Sequence, residues 1–373
     1  MMSLARVSFS LLLVATSSGA LAAAPNYSMT LLGGGYAAAI NDAGVVAGAN
    51  LVADDYYHAT LFKGGRTDLG TLAGAAAFSY ATGLNNHGQA VGWSDSLGQK
   101  SAFVYRNGSL QALGGANFFA NTAKGINDGG QIVGAATFGN AGGPQHAFSY
   151  RDGVATDLGT LGADYSVANG VNSAGRVVGT VSTYRQGGSV TERAFVYDNG
   201  NMSALRILGS DVSVANAVND AGNIVGKYTA GDASEHAYLY VNGSATDLGT
   251  IGGAFSEALG VNDAGSVVGV ASTADGGQLH AFLYAGNQML DLNALVLQNY
   301  GFTVRGAYSI NEKGQIAAYG CKLMDCQAIL LDPLTAVPEP ASYAMLLAGL
   351  GLVGLARRRF QPRRAVPALN GAA

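Results

Sequence analysis

Residues 258–292 read ALGVNDAGSVVGVASTADGGQLHAFLYAGNQMLDL, and the fold can be read from this stretch. A short apolar segment, ALGV, runs into Asn262-Asp263-Ala264-Gly265. This is a tight turn in which Asn opens the bend and Gly takes a left-handed backbone that other residues resist. SVVGVAS follows as a strand of small and β-branched residues. After a polar loop, HAFLY alternates as a third strand, and a Gly-Asn turn leads to MLDL as the fourth. Elsewhere that last turn is Asn107-Gly108, Asp152-Gly153, Asn199-Gly200 or Asn242-Gly243, the strongest short hairpin signals. The stretch therefore predicts four antiparallel strands.

It is one of seven such stretches. An apolar residue, Asn, and Gly three places on recur at Asn41, Asn85, Asn127, Asn172, Asn219, Asn262 and Asn311, at intervals of 44, 42, 45, 47, 43 and 49 residues. Each Asn has Ala four places before it, from Ala37 to Ala307. A second motif keeps step: HATLF at 58, SAFVY at 101, HAFSY at 146, RAFVY at 193, HAYLY at 236, HAFLY at 280 and QAILL at 327. A period of 40 to 50 residues marks a solenoid, propeller or array, and four strands per period make a propeller blade. The fourth strand reads DLGTL at 68 and 157 and DLGTI at 247, but none follows the last repeat. Residues 28–34, SMTLLGG, resemble it and precede the first Asn motif. The expectation is an all-β, seven-bladed β-propeller over residues 26–334, with the N-terminal strand closing the last blade and no open edge left. The repeated Ala should lie on the innermost strand, where only small side chains fit.

The two ends carry other devices. Residues 1–22 read as a signal peptide, with Arg6, an apolar run from Val7 to Val14 and Ala20-Leu21-Ala22 for cleavage. At the far end Pro338, Glu339 and Pro340 precede an apolar helix from Ala341 to Ala356 and the basic Arg357, Arg358 and Arg359. The apolar segment has 16 residues, close to the lower limit of about 17 for a spanning helix. The arginines would hold its C-terminal end in the cytoplasm. This arrangement over 337–360 resembles the PEP-CTERM sorting signal. The resemblance implies recognition and cleavage by an exosortase, with transient anchoring in the inner membrane. Residues 361–373 then form a basic cytoplasmic tail, long enough to keep a permanent anchor as the alternative. The HAF-x-Y and DLGTLGG-like strings resemble the bacterial extracellular repeat proteins of the HAF family, which implies export but no assigned reaction.

Composition narrows the partner. Charged residues are 12% of the chain, about half the usual share, Gly is 55 of 373 residues, and the net charge is −4. Nucleic acid needs a basic stripe and is excluded as a partner. Extracellular polysaccharide or an envelope protein fits a surface built from Ser, Thr, Asn and Gly. The two cysteines, Cys321 and Cys326, are read as a disulfide across a hairpin mouth in an oxidising compartment.

Chemistry-bearing residues mostly follow the repeat. His58, His146, His236 and His280 share one strand position, too far from the axis to meet around a metal, and are read as structural. Asp42, Asp128, Asp220 and Asp263 follow the motif Asn but lack the dense alternation of a calcium loop, so they are read as turn residues. Neither cofactor nor catalytic residues are expected. Loops between second and third strands vary in length, and aromatics gather at the blade-to-blade loops of the same face, so the candidate ligand face is placed at Trp93, Phe118 and Tyr184. The bland alternative is that these rings only fill wedges between blades. The leading expectation is a non-catalytic binding protein. The others are a propeller-based glycan lyase or hydrolase, and a purely structural spacer.

Overall fold

A computed structural model of the chain describes residues 25–334, except 53–55, 97–98, 116–117, 140–141, 186 and 276. The signal peptide, the sorting signal with its apolar helix, and the basic tail lie outside the described residues. The chain divides into two compact units, residues 1–333 and 334–373.

Four-stranded antiparallel order recurs along the described chain. In the sixth repeat Gly252–Val261, Val267–Thr273, Leu279–Ala285 and Gln288–Asp291 pair in sequence. The second repeat does the same with Ser79–Leu84, Ala90–Ser96, Gln99–Arg106 and Ser109–Ala112. The last repeat supplies only three strands of its own, Thr303–Ile310, Ile316–Lys322 and Asp325–Pro333. Its fourth comes from the other end of the chain. The 14-residue strand Tyr27–Ile40 pairs Tyr27 with Pro333 through Gly34 with Gln327, then Gly35 with Asn50 through Ile40 with Val46. One strand is thus the outer strand of the last repeat and the inner strand of the first. Gly35 is obligatory at the crossing, because its φ of +149° brings the chain against the Ala49 carbonyl, where a Cβ would collide.

Each first strand slips its register at the residue after the repeated Ala, leaving Ala38, Thr82, Lys124, Asn169, Asn216, Leu259 and Tyr308 bulged out of the ladder. A bulge bends and twists the strand that carries it. It also drives the first strand onto the second, which is why Gly92 faces the Tyr80 carbonyl with no room for a side chain. Inner strands of successive repeats then abut, with the Cα of Gly125 close to Gly83 and the Cα of Gly170 close to Gly125.

The apolar cores lie between successive repeats. One cluster joins Val133, Ala147 and Leu158 of the third repeat to Ala168, Val177 and Phe195 of the fourth. Another joins Val225, Ala237 and Leu248 of the fifth to Ala258, Val267 and Phe282 of the sixth. Phe103, Phe148, Phe195, Tyr238 and Phe282 share one position on the third strand and are fully buried. Each such ring contributes on the order of 2–3 kcal/mol relative to exposure.

Serines stitch the same junctions. Ser79, Ser166 and Ser256 each accept the N–H of the Ala that follows the His position in the preceding repeat and donate to a Gly carbonyl of its fourth strand or the turn beyond it. Ser213 accepts the equivalent N–H from Ala194. Cys321 and Cys326 form a disulfide directly across the ladder of the last hairpin, with Cα atoms 4.0 Å apart. A one-turn helix, Leu292–Leu295, follows the fourth strand of the sixth repeat and was not expected.

Candidate functional site

Two ends of the ring of repeats differ in chemistry. At the first, the seven motif asparagines converge. Each Asn side chain donates through Nδ2 to the backbone carbonyl of the Asn in the next repeat, at 2.8 to 3.2 Å, and Asn311 closes the circuit on Asn41. In the same turns Oδ1 accepts N–H groups of its own bend, as in Asn41 with Ala43 and Val45. The side chain therefore satisfies donors and acceptors that a buried turn would leave unpaired.

One residue further out runs a second series of such bonds, interrupted between Asp128 and Ser173. The Asp42 N–H donates to Asn86 Oδ1, Asn86 to Asp128, Ser173 to Asp220, Asp220 to Asp263, Asp263 to Glu312, and Glu312 back to Asp42. Five carboxylates and Asn86 thus rim a cavity of about 210 Å³, floored by aliphatic side chains including Ile40, Ile126, Val218 and Ile310. The sequence reading of exposed turn residues was correct for exposure and missed their convergence. Among the described residues no three His, Cys, Asp or Glu side chains are grouped to hold a metal ion.

Glu312 takes the position that Asp holds elsewhere. Burial, then the charges of Asp263, Asp42 and Asp220, push its carboxyl above the usual glutamate range, although the Asp263 N–H opposes this. A carboxyl raised in the folded state costs stability while ionised, and that cost is relieved as pH falls through the raised value. Glu312→Gln keeps an acceptor for the Asp263 N–H and removes the charge. It should raise the melting temperature at pH 7 by roughly a degree or two, with the difference fading towards pH 4. An equal or lower melting temperature at pH 7 would refute the repulsion.

The opposite end carries the long loops and the aromatics. Tyr319, Tyr36, Tyr57, Tyr80 and Trp93 form a continuous run of rings across the seventh, first and second repeats, with centroids 4.9, 5.7, 5.8 and 4.7 Å apart. Lys100 caps it, its Nζ 4.1 Å from the Trp93 centroid. Trp93, a candidate, is therefore covered on one face by Tyr80 and contacted by Lys100. It serves as a wall more than a platform. Burial, then the neighbouring Tyr36, Tyr57 and Asp95, raise the Tyr80 phenol above its ordinary value.

Phe118, the second candidate, is 6% exposed. It packs on Phe138, Phe148 and Tyr150 in the core between the second and third repeats. This corrects its reading as an open platform: strand alternation turns the ring into the core and leaves it only at the wall of a cleft between the second and third repeats. Its neighbour Phe119 points the other way and is 43% exposed. Tyr184, the third candidate, is 59% exposed and meets Tyr165 edge to face at 5.3 Å, over a cavity of about 520 Å³. Tyr36, Phe119, Tyr165, Tyr184, Tyr300 and Tyr308 are the exposed aromatic residues among those described. None lies in the Asn or Asn-Gly turns.

The four histidines each have the same partner. Nδ1 of His58, His146, His236 and His280 meets Asp68, Asp157, Asp247 and Asp291 at 2.7 to 2.9 Å. The other carboxylate oxygen accepts the N–H two residues on, as in Gly70, Gly159 and Gly249. The Asp of DLG thus ties third strand, fourth strand and the following turn together. Repeats without the His also lack the Asp: Ser101 is matched by Ala112, Arg193 by Ala204 and Gln327 by Leu31. That correlation is visible in the sequence as a paired loss of His and Asp.

One pair has a third member. Ser234 Oγ lies 3.1 Å from His236 Nε2, so Ser234, His236 and Asp247 have the connectivity of a nucleophilic triad. The serine hydroxyl is also held by Asp232 at 2.5 Å, and its own N–H bonds the same carboxylate. A serine whose proton is engaged by a second acid is poorly placed to pass it to His236.

A family model of the PEP-CTERM protein-sorting motif matches residues 336–359. That motif is a recognition signal for exosortase processing. No curated protein matches the chain. Among solved structures, the β-propeller domain of the Trilobed protease from Pyrococcus furiosus, described as having an open velcro topology, is similar with a TM-score of 0.52 and 11% identity, over 83% of this chain and 98% of that one. YCF48 bound to D1 peptide matches at a TM-score of 0.45 and 12% identity, covering 85% and 97%. Trypanosoma rangeli sialidase in complex with sialic acid matches at 0.40 and 12%, covering 92% and 60%. At such identities the likeness concerns the fold alone: an all-β protein of four-stranded antiparallel sheets, similar to propellers. Among the described residues no helix is long and apolar enough to cross a membrane.

Proposed function

We propose that the chain is an exported, non-catalytic seven-bladed β-propeller that presents its loop face to extracellular glycan or an envelope partner. The blade count is supported by the Asn circuit, which closes after seven members, and by the strand Tyr27–Ile40 shared between the last and first repeats. Export and exosortase processing are supported by the sorting motif at 336–359. In this reading the precursor is held transiently by its apolar segment and released to the surface or matrix after cleavage near Pro338–Pro340.

The observation that carries the binding assignment is the segregation of exposed aromatics. Five of the six lie in or beside the loop-side segments, Tyr308 bulges from an inner strand between the two ends, and the turn side is lined by asparagines and carboxylates. Flat apolar faces beside neutral hydrogen-bonding groups suit sugar rings. A glycan lyase or hydrolase would need an activated acid, base or nucleophile in a cleft. The closest arrangement, Ser234 with His236, has its serine committed to Asp232.

Retention of the secreted protein on extracellular polysaccharide tests the reading. Tyr184→Ala should weaken retention by about fivefold with an unchanged melting curve, since a stacked aromatic contributes roughly 1 kcal/mol beyond its area. Asp220→Asn on the turn side should not. Equal retention of wild type and Tyr184→Ala, or loss through Asp220→Asn alone, would move the site away from the loop face.

A further inference from the structure

At the junction of the second and third repeats, three features found in most other repeats are missing or altered together. Ser101 stands at the His position, and Ala112 at the Asp position opposite Phe103. No His–Asp bridge can form there. The place of the stitching serine, opposite the residue two beyond the second-strand Gly, is taken by Ala120, which has no hydroxyl. An additional bulge follows at Asn121. The other repeats that lack His and Asp fill the space, with Arg193 reaching Asp211 and Gln327 reaching Asp325. Here both residues are small, and a cleft of about 820 Å³ opens, lined in part by Lys100, Ser101, Phe119, Ala120 and Asn121. That volume is within the range of ligand sites, about 300–1,000 Å³.

The lining specifies a ligand chemistry. Phe119 offers an exposed ring. Asn121 Oδ1 is buried with no hydrogen-bond partner, an acceptor that awaits a donor. Ser101, Thr137 and Gln145 add neutral donors and acceptors, and no Asp or Glu is among the lining residues described. Lys100 stands at this cleft with its ammonium over Trp93 and no carboxylate partner among the described residues. Lys124, bulged from the neighbouring strand, also has none. Burial, then the charge of Lys100, hold its ammonium below the usual lysine range. Lys100 at a cleft whose described lining holds no acid favours an anionic group, with Lys124 further along the strand that carries Phe119.

We propose that the cleft between the second and third repeats binds a carboxylate-bearing sugar unit of an acidic polysaccharide. Phe119 stacks on the pyranose ring, Asn121 Oδ1 accepts a sugar hydroxyl, and Lys100 pairs with the carboxylate. The proposal rests on the glycan-binding reading above and adds its location and ligand class.

The test is calorimetric titration of the secreted protein with hexagalacturonate and with the same hexamer carboxyl-reduced. The acidic hexamer should bind at least about tenfold tighter, the worth of one charge-assisted hydrogen bond. Lys100→Gln should bring the two ligands to within about twofold. Phe119→Ala should weaken both by about fivefold. The double variant Ser101→His with Ala112→Asp rebuilds the bridge that four other repeats use. It should fold with an equal or higher melting temperature and lose binding by tenfold or more. Equal affinity for the two hexamers, or undiminished binding by the double variant, would overturn the acidic-sugar site and leave glycan binding by the loop face standing. Failure to bind either hexamer with polysaccharide retention intact would also overturn the cleft alone. Loss of both would remove the glycan reading as well.

Discussion

Replacing Asn262 by Ala should lower the melting temperature of the protein by roughly 6–12 °C. The side chain is 3% exposed, donates to the Asn311 carbonyl at 3.1 Å and accepts the Ser266 N–H at 3.0 Å. Alanine leaves both backbone groups buried and unpaired, at about 1–3 kcal/mol each, or about 3 kcal/mol in all as a moderate figure. For a domain of this size about 1 kcal/mol shifts the melting point by roughly 2–4 °C. Asn262→Asp should be worse at pH 7 and better at low pH. Ionised, it sets a carboxylate oxygen against the Asn311 carbonyl and next to Asp220, Asp263 and Glu312. Protonated, its hydroxyl can donate where the amide did. Its carboxyl is then raised in the folded state, so stability lost at neutral pH returns as pH falls. Melting curves at pH 7 and pH 4.5 check this. A change under about 2 °C for Asn262→Ala would show that the circuit is incidental to stability.

The largest effect should follow removal of residues 27–34. This segment pairs with Asp325–Pro333 from Tyr27 to Gly34, and its Tyr27 and Met29 are buried in the core of the last repeat with Ile329, Leu331 and Leu292. Burying the two side chains is worth about 1.5–3 kcal/mol each, and the ladder adds about 1 kcal/mol per hydrogen bond. Their loss would approach the whole net stability of a typical domain, about 5–15 kcal/mol. It would also leave Asp325–Pro333 as a bare edge, a template for aggregation. The truncated protein should aggregate or melt at least about 15 °C lower, in contrast to trimming the short outer strand Asn201–Ala204, which buries little. Light scattering with calorimetry separates these outcomes. A truncated protein that stays monomeric with a melting point near wild type would show that the last repeat does not need its borrowed strand.

Much of the architecture was legible because a repeat compares a chain with itself. Seven copies of Ala-x-x-x-Asn-x-x-Gly, each followed by an HAF-like strand, carry turn chemistry and strand alternation that depend only on local backbone geometry. The displaced fourth strand at residues 28–34 marked the pairing of the two ends for the same reason. The Cys321–Cys326 bridge was equally readable, since a hairpin places those positions opposite each other.

The site was less legible. Phe118 and Phe119 look alike in sequence, and only the register of one strand sends the first into the core and the second to solvent. Trp93 reads as a free aromatic until Tyr80 and Lys100 are seen on it. The Asn circuit and the carboxylate series join residues 42 to 49 positions apart, and in one step 270, so nothing local announces them. Low overall charge pointed to a neutral partner, and the average hid a segregation. Five carboxylates converge at the turn end, whereas Lys100 lines a loop-side cleft whose described lining holds no acid. Sequence alone determined the strands, their turns and the order in which they pair, because these depend on neighbours along the chain. Which side chains share a cavity, and which charges lack a partner, depended on the closure of the ring, because only tertiary structure brings distant repeats within reach of one another.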